Sequence, residues 1–197
     1  MSNVIIGKPN IVLIGGGGHC SSVIDIIEKE GRYNILGILD NKQGELLGYP
    51  IIGDDSLINE LISDNTFFII TVGQIKTYEI RERIAKKLEE SKAKLATIIS
   101  PLAYVSKHAD IGVGTIVMHG SIVNAQAKVG KHCILNTKSN IEHGVVINDF
   151  CHISTCVVVN GDSTIGRGVF LGSNSTISNG IIIKEDSIIS AGKFVKK

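Results

Sequence analysis

The chain has 197 residues, of which 43% are hydrophobic and 20% charged, and its formal net charge is +1. That length holds two small cores, and so even a charge balance offers no basic stripe for nucleic acid. No apolar run reaches membrane-spanning length and no secretion signal heads the chain, so the expectation is a soluble cytoplasmic protein with no membrane insertion.

Asn10 to Ile14 reads as a short buried strand that runs straight into Gly15, Gly16, Gly17, Gly18 and His19. A helix follows over about Ser21 to Glu30, with Val23, Ile24, Ile26 and Ile27 on its apolar side. Ile35 to Leu39 is the next strand and ends at Asp40. A turn is expected around Gly48, Tyr49 and Pro50, then a helical stretch over Asp55 to Ser63 and a strand from Phe67 to Val72, punctuated by Gly73. Thr77 to Lys92 carries Ile80, Ile84 and Leu88 on one side and charge on the other, as a surface helix does. Leu95 to Ile99 closes the unit as a strand. Alternating strand and helix predict a small parallel α/β sheet of Rossmann type over residues 1–98.

From Ile99 onward the texture changes, because an aliphatic residue falls on every sixth position through Val105, Ile111, Val117 and so on to Ile189 and Val195. A period of six fits a chain wound into a triangular coil, one hexad to each side and three to each turn. Residues eighteen apart then stack at roughly 4.8 Å, so Val117, Leu135, Ile153, Leu171 and Ile189 should form one inward ladder. Four places after each marker a second inward residue is usually small, as at Thr115, Ser121, Ala127, Cys133, Ser139, Cys151 and Ser163. The register never slips, which leaves no room for a long loop and puts any catalytic side chain on the prism wall itself. Cys133 and Cys151 fall one above the other and read as small reduced core residues.

The glycine run is the first chemical motif. Backbone amides at a strand-to-helix turn point toward an incoming anion, so a phosphate is the expected guest. Gly15 and Gly17 fit the dinucleotide fingerprint, but Cys20 occupies its third glycine position, which argues against NAD. Asp40 either holds a ribose hydroxyl or caps a turn beside Asn41, and His19 either meets a phosphate or sugar or simply begins the helix. The second motif lies on the prism: Asn136, Thr137, Glu142, His143 and Gly144, then His152 and Gly161. Acyl transfer needs a base for the attacking group, and neutral histidine suits that role at pH 7. His143 stands two places past the inward Ile141, so its ring should face outward. A glycine amide is an apt donor to the developing oxyanion. The prism histidines contain no His-x4-His pair and no cysteine spacing suits a metal, so a zinc hydratase on this prism is disfavoured.

The order of the two halves, the GGGGH turn, YPIIGD at Tyr49 to Asp54, NTKSNIEHG at Asn136 to Gly144, CHIS and VNGD together resemble the sugar O- and N-acyltransferases. The resemblance implies a left-handed parallel β-helix over 99–197, a homotrimer with sites between neighbouring prisms, and acetyl-CoA as cosubstrate with no metal. It implies acetylation of a nucleotide-linked 4-amino-4,6-dideoxy sugar by direct attack on the thioester. Acetylation of a sialic acid oxygen, or a non-catalytic sugar-nucleotide-binding role, are the alternatives. The residue roles it carries over are His143 as general base with Glu142 and Asn136 in the catalytic group. His152, Gly161, Gly172, Ser190, Ala191 and Lys193 would line the coenzyme. Gly15, Gly16, Gly17, Gly18, His19, Asp40, Asn41 and Gly73 would hold the sugar nucleotide. Two departures stand out: Gly144 follows the histidine where the amino-sugar branch often has an acid, and the chain stops at Lys197 where many relatives continue with a Gly-x-Pro-Ala-Lys segment. Lys193, Lys196 and Lys197 are then either phosphate contacts or a solvated tail.

Overall fold

Strand β1 (Asn10–Ile14) has an apolar, fully covered run from Ile11 to Ile14 in the computed structural model, which describes residues 7–196. Coverage on both faces suits the central strand of a parallel sheet. Around it lie β2 (Asn34–Leu39), β3 (Glu45–Leu46), β4 (Tyr49–Gly53), β5 (Thr66–Ile70) and β6 (Lys94–Leu95), in the order β3-β4-β2-β1-β5-β6. All pairs are parallel except the β3/β4 hairpin. Helix α1 (Gly18–Glu30) buries Cys20, Val23, Ile24, Ile26 and Ile27 and ends on Gly31, whose left-handed φ of 66° lets its amide reach Ile27 O at 2.9 Å. Because β2 and β5 flank β1 on opposite sides, the chain leaves β1 at a switch point, where α/β sheets open a crevice.

Several boundaries differ from the sequence reading, each for a local reason. Helix α1 begins at Gly18, three residues early, because the glycines themselves enter the helix. Tyr49 and Pro50 are not turn residues but the start of β4. Leu47 and Gly48, both at positive φ (52° and 81°), make a two-residue hairpin turn. The stretch at 55–63 yields a 3-10 turn at Asp55–Leu57 and a single helical turn, α2 (Ile58–Leu61), before Ile62 returns to an extended conformation. Helix α3 (Glu79–Glu90) is shorter than expected at both ends. The strand expected at Leu95–Ile99 is two strands: β6 pairs with β5, whereas Ile98–Ile99 pairs with Ile116–Val117 and is already the first rung of the prism.

The second half forms the triangular β-helix expected from the repeat. Three parallel sheets of two-residue strands carry six, six and five rungs. The first face runs through Ile98–Ile99, Ile116–Val117, Ile134–Leu135, His152–Ile153, Phe170–Leu171 and Ile188–Ile189. The second face starts at Tyr104–Val105 and the third at Asp110–Ile111. Partners are eighteen residues apart throughout, and Val117, Leu135, Ile153 and Leu171 are fully buried in one column. At the corners every sixth residue from Gly114 to Gly192 has positive φ, including His132 (55°), Phe150 (57°) and Asp162 (59°). The small inward residues serve these corners. Ser121 Oγ donates to Asn136 O (2.7 Å), Ser163 Oγ to Ser178 O (2.9 Å), and the free thiols of Cys133 and Cys151 to Asn148 O and Gly166 O. At these positions a small polar side chain supplies a donor to a corner carbonyl, which favours it because a buried carbonyl without a donor is costly, whereas Ala127, Val145, Val157 and Val169 fill the equivalent position with apolar groups.

The first face is covered by the N-terminal domain. Ile98, Ile116 and Met118 share one cluster with Val23, Ile24 and Ile27 of α1. Arg81, fully buried, donates from Nη1 to Ile70 O and Val72 O and from Nη2 to His132 O at 2.8 Å. Gln74 Nε2 donates to Phe150 O (2.7 Å), and His119 bridges Ser100 Oγ and Asp25 Oδ2 at 2.6 and 2.7 Å. Carbonyls at prism corners thus anchor the α/β domain in one orientation. Among the described residues no helix is long and apolar enough to cross a membrane.

Candidate active site

The glycine turn lies at the switch point between the ends of β1, β2 and β5. Gly15 has φ 109°, and a Cβ there would stand 2.5 Å from Val72 Cγ2, so only glycine fits. Gly16 N donates to Asp40 Oδ2 at 2.6 Å and Lys42 N to Asp40 Oδ1 at 3.0 Å. The Gly16 amide, above all, holds the Asp40 carboxyl below its usual range. Asp40 therefore fastens the turn, which is the capping alternative, while remaining on the wall of the crevice. Gly17 and Gly18, with open space beside them, present the start of α1. This crevice, about 340 Å³, is lined by Gly15, Gly17, Gly18, His19, Lys42 and Gly73 among others, and Asn41 lies on an adjoining slot with Leu39, Ile80 and Arg83. His19 Nε2 is buried without a partner, and burial, with Arg81 and His152 adding, lowers its pKa to about 3. It is a neutral ring with one buried nitrogen unpartnered.

Where the crevice meets the prism, His152 donates from Nδ1 to Gln74 O at 2.5 Å, which leaves Nε2 to accept from Asn136 Nδ2 at 3.1 Å. Asn136 Oδ1 in turn accepts from Thr137 N at 2.7 Å, so the amide is oriented and one of its N–H groups stays free. Burial lowers the His152 pKa to about 4. Both ring nitrogens of His152, expected to line the coenzyme, are thus engaged within the protein. Gly172 stacks under Ala191 on the corner between the first and second faces, with Ser190 and Lys193 exposed beside it. Lys197 lies outside the described residues.

His143 sits one face away, on the corner between the second and third faces, with its ring exposed as expected. The ring lies on Gly161 of the next coil: a Cβ there would fall 2.6 Å from His143 Cε1 and 2.9 Å from Nε2. Glu142 does not turn to the ring. Its two oxygens accept from Asn124 Nδ2 (3.0 Å) and Asn140 Nδ2 (2.9 Å). Gly144 occupies the left-handed corner with φ 68°. The expected residues therefore fall into two groups within one chain. The glycine turn, Asp40, His19, Asn136, His152 and Gly172 are on one side of the second face; Glu142, His143 and Gly161 are on the other. Among the described residues no cluster of histidine, cysteine or carboxylate side chains could hold a metal ion. Sequence reasoning missed Arg81, Gln74 and the Asp25–His119–Ser100 bridge, which carry no local signature because their partners are backbone carbonyls or distant in the chain.

Residues 10–88 match the PglD N-terminal domain family, and residues 163–197 match the hexapeptide repeat of succinyl-transferase. UDP-N-acetylbacillosamine N-acetyltransferase of Bacillus subtilis (strain 168) is 32% identical over 113 residues, 55% of this chain and 51% of that enzyme, so the match spans about half of the relative. A histidine-to-asparagine variant of perosamine N-acetyltransferase from Caulobacter crescentus, in complex with CoA and GDP-perosamine, superposes with a TM-score of 0.90 at 28% identity, over 98% of this chain and 90% of that one. The acetyltransferase domain of PglB from Neisseria gonorrhoeae FA1090, in complex with acetyl coenzyme A, does so with 0.89 at 29% identity, over 94% and 90%. The chain therefore carries a stretch matching the PglD N-terminal domain ahead of one matching the hexapeptide repeat of succinyl-transferase, and it is homologous to UDP-N-acetylbacillosamine N-acetyltransferase and perosamine N-acetyltransferase.

Proposed function

We propose that this protein transfers the acetyl group of acetyl-CoA to the amine of a nucleotide-linked amino sugar. The observation that carries the reading is the exposed His143 imidazole laid on Gly161, an available base beside an available backbone amide. The sugar nucleotide would place its phosphates at the Gly15–Gly18 turn, and the partnerless His19 Nε2 supports an oxygen ligand there. The amine nitrogen attacks the thioester carbonyl, His143 takes its proton, and the tetrahedral intermediate collapses with loss of the CoA thiolate. The Gly161 amide and the free N–H of Asn136 are the donors available to the intermediate's oxygen.

A second copy of the chain completes this site. The nucleotide crevice with Asn136 and the base with Gly161 lie on different corners, so a corner of one prism must face the other corner of its neighbour. The second face between them exposes Tyr104 (59%) and Ile122 (40%) on adjoining rungs and Phe194 (57%) at its far end, with Asn140, Val158 and Thr176 half-buried between, a face suited to burial in a homotrimer. The reading is tested by incubating the protein with acetyl-CoA and a panel of nucleotide-linked amino sugars while free thiol is recorded. Release that requires one of these acceptors is expected. A protein that binds them yet releases no thiol is a binding module, and the proposal is then wrong.

A further inference from the structure

We propose that Asp162 is the positioning residue of His143, an inference that rests on His143 being the base. At the corners of this prism the side chain in the left-handed position leans back over the residue eighteen earlier. His132 lies over Gly114, Lys138 over Gly120 and Asp186 over Gly168. Asp162, at φ 59°, follows the same rule, and its Oδ1 lies 2.3 Å from where a Cβ on Gly144 would be. His143 leans the opposite way, forward over Gly161. The imidazole reaching up from one coil and the carboxylate reaching down from the next therefore share one corner, with no hydrogen bond between them in this structure. Asp162 N also donates to His143 O at 3.1 Å, which ties the two residues together through the backbone.

Two glycines make this crossing possible, and Gly161 has no conformational reason to be glycine, since its φ is not in the left-handed range. The other nearby carboxylate, Glu142, already serves Asn124 and Asn140. Asp162 is exposed, and its carboxylate has no hydrogen-bond or ion-pair partner among the described residues. It is the unspent negative charge beside the base. In the complex with substrate it would accept the Nδ1–H of the ring, which directs the lone pair of Nε2 at the amine and stabilises the imidazolium that forms when the proton is taken. Such catalytic hydrogen bonds are commonly loose without substrate and tighten in the complex.

The test uses the full-length protein and Asp162→Asn, which keeps the left-handed conformation, as Asn174 does at another corner of the prism, but removes the charge. In protein labelled with 15N-histidine, the His143 ring, assigned by its loss in His143→Ala, should be the Nδ1–H tautomer and should lose that preference in Asp162→Asn. An Nε2–H tautomer in the parent protein overturns the proposal, and this readout needs no turnover, so it stays decisive even if no acceptor sugar is found. In the thiol-release assay kcat should fall about tenfold with both KM values unchanged, and Asp162→Glu should recover most of it. Asp162→Asn placed on His143→Ala should cost nothing more. Unchanged kcat, or an equal further loss in the double variant, refutes a role through His143.

Discussion

Gly161→Ala isolates the position of the base from its presence. The new methyl group would lie 2.6 Å from His143 Cε1, 2.9 Å from Nε2 and 3.2 Å from Nδ1. Ordinary carbon contacts are about 3.5–4.0 Å, so the ring must withdraw by roughly 1 Å. A displacement of that size at a reacting group costs about 10²-fold in rate. The backbone at 161 accepts alanine without strain and the ring is exposed, so it has solvent to move into and the fold should hold. We expect kcat for thiol release to fall about 10²-fold, with the melting temperature within about 2 °C of the parent. The same substitution on His143→Ala should cost far less, because no ring remains to displace. If Gly161→Ala alone stays within threefold of the parent, the seat of His143 on Gly161 is irrelevant to catalysis.

His143→Ala should lower turnover on the order of 10²-fold or more while leaving the oligomer intact by light scattering. Mixing it with an equally inactive Asn136→Ala chain, after dissociation and reassembly, should restore part of the activity; no recovery would argue against a site shared between chains. Asp40→Asn weakens the hold on the Gly16 amide and should raise the KM for the sugar nucleotide, and an effect confined to acetyl-CoA would refute its placement. His152 has its folded pKa lowered by burial, from 6.5 to about 4. The unfolded chain then binds the extra proton first, so stability is full above pH 6.5 and drains as the pH falls toward 4, by roughly 3 kcal/mol at that end. His19 and His132 are lowered by the same cause, so urea midpoints should fall through this window, and His152→Gln should flatten part of the slope. Arg81→Met removes donors from Ile70 O, Val72 O and His132 O and should lower the free energy of unfolding by about 3 kcal/mol in urea titrations.

The prism was legible because its cause is one-dimensional: a buried column repeats every six residues, and nothing else on the chain interferes with that spacing. The small second inward position was legible too, although its reason was not. Ser121, Ser163, Cys133 and Cys151 are small because the interior is narrow, and each also donates to a corner carbonyl, which Ala127 and Val145 at equivalent positions do not. The α/β half was legible in its order of elements but not in its edges. Leu47–Gly48 carries a hairpin signal only if leucine is allowed positive φ, and the fate of Ile98–Ile99 depends on a rung eighteen residues ahead. Arg81 is a surface-helix arginine by every local rule. Its burial follows from the docking of α3 against the prism, which no window of sequence contains.

The candidate site shows most clearly what a linear reading does on this architecture. Asn136 and His143 are seven residues apart in one run, NTKSNIEHG, and read as one motif. Six residues, however, are one side of the triangle, so the second face, with Asn140–Ile141 as its rung, separates them. Asn136 accordingly faces the domain junction through His152 and Gln74, while His143 faces solvent. Conversely Gly161 and Asp162, eighteen residues beyond His143 and Gly144, are their immediate neighbours. Adjacency here obeys multiples of eighteen, and a change of corner obeys multiples of six. An acid absent at position 144 is therefore to be sought at position 162, one coil up the same corner. For the same reason, two chemical groups that share a short motif but differ by one hexad can act together only when a second prism brings its own corner to them.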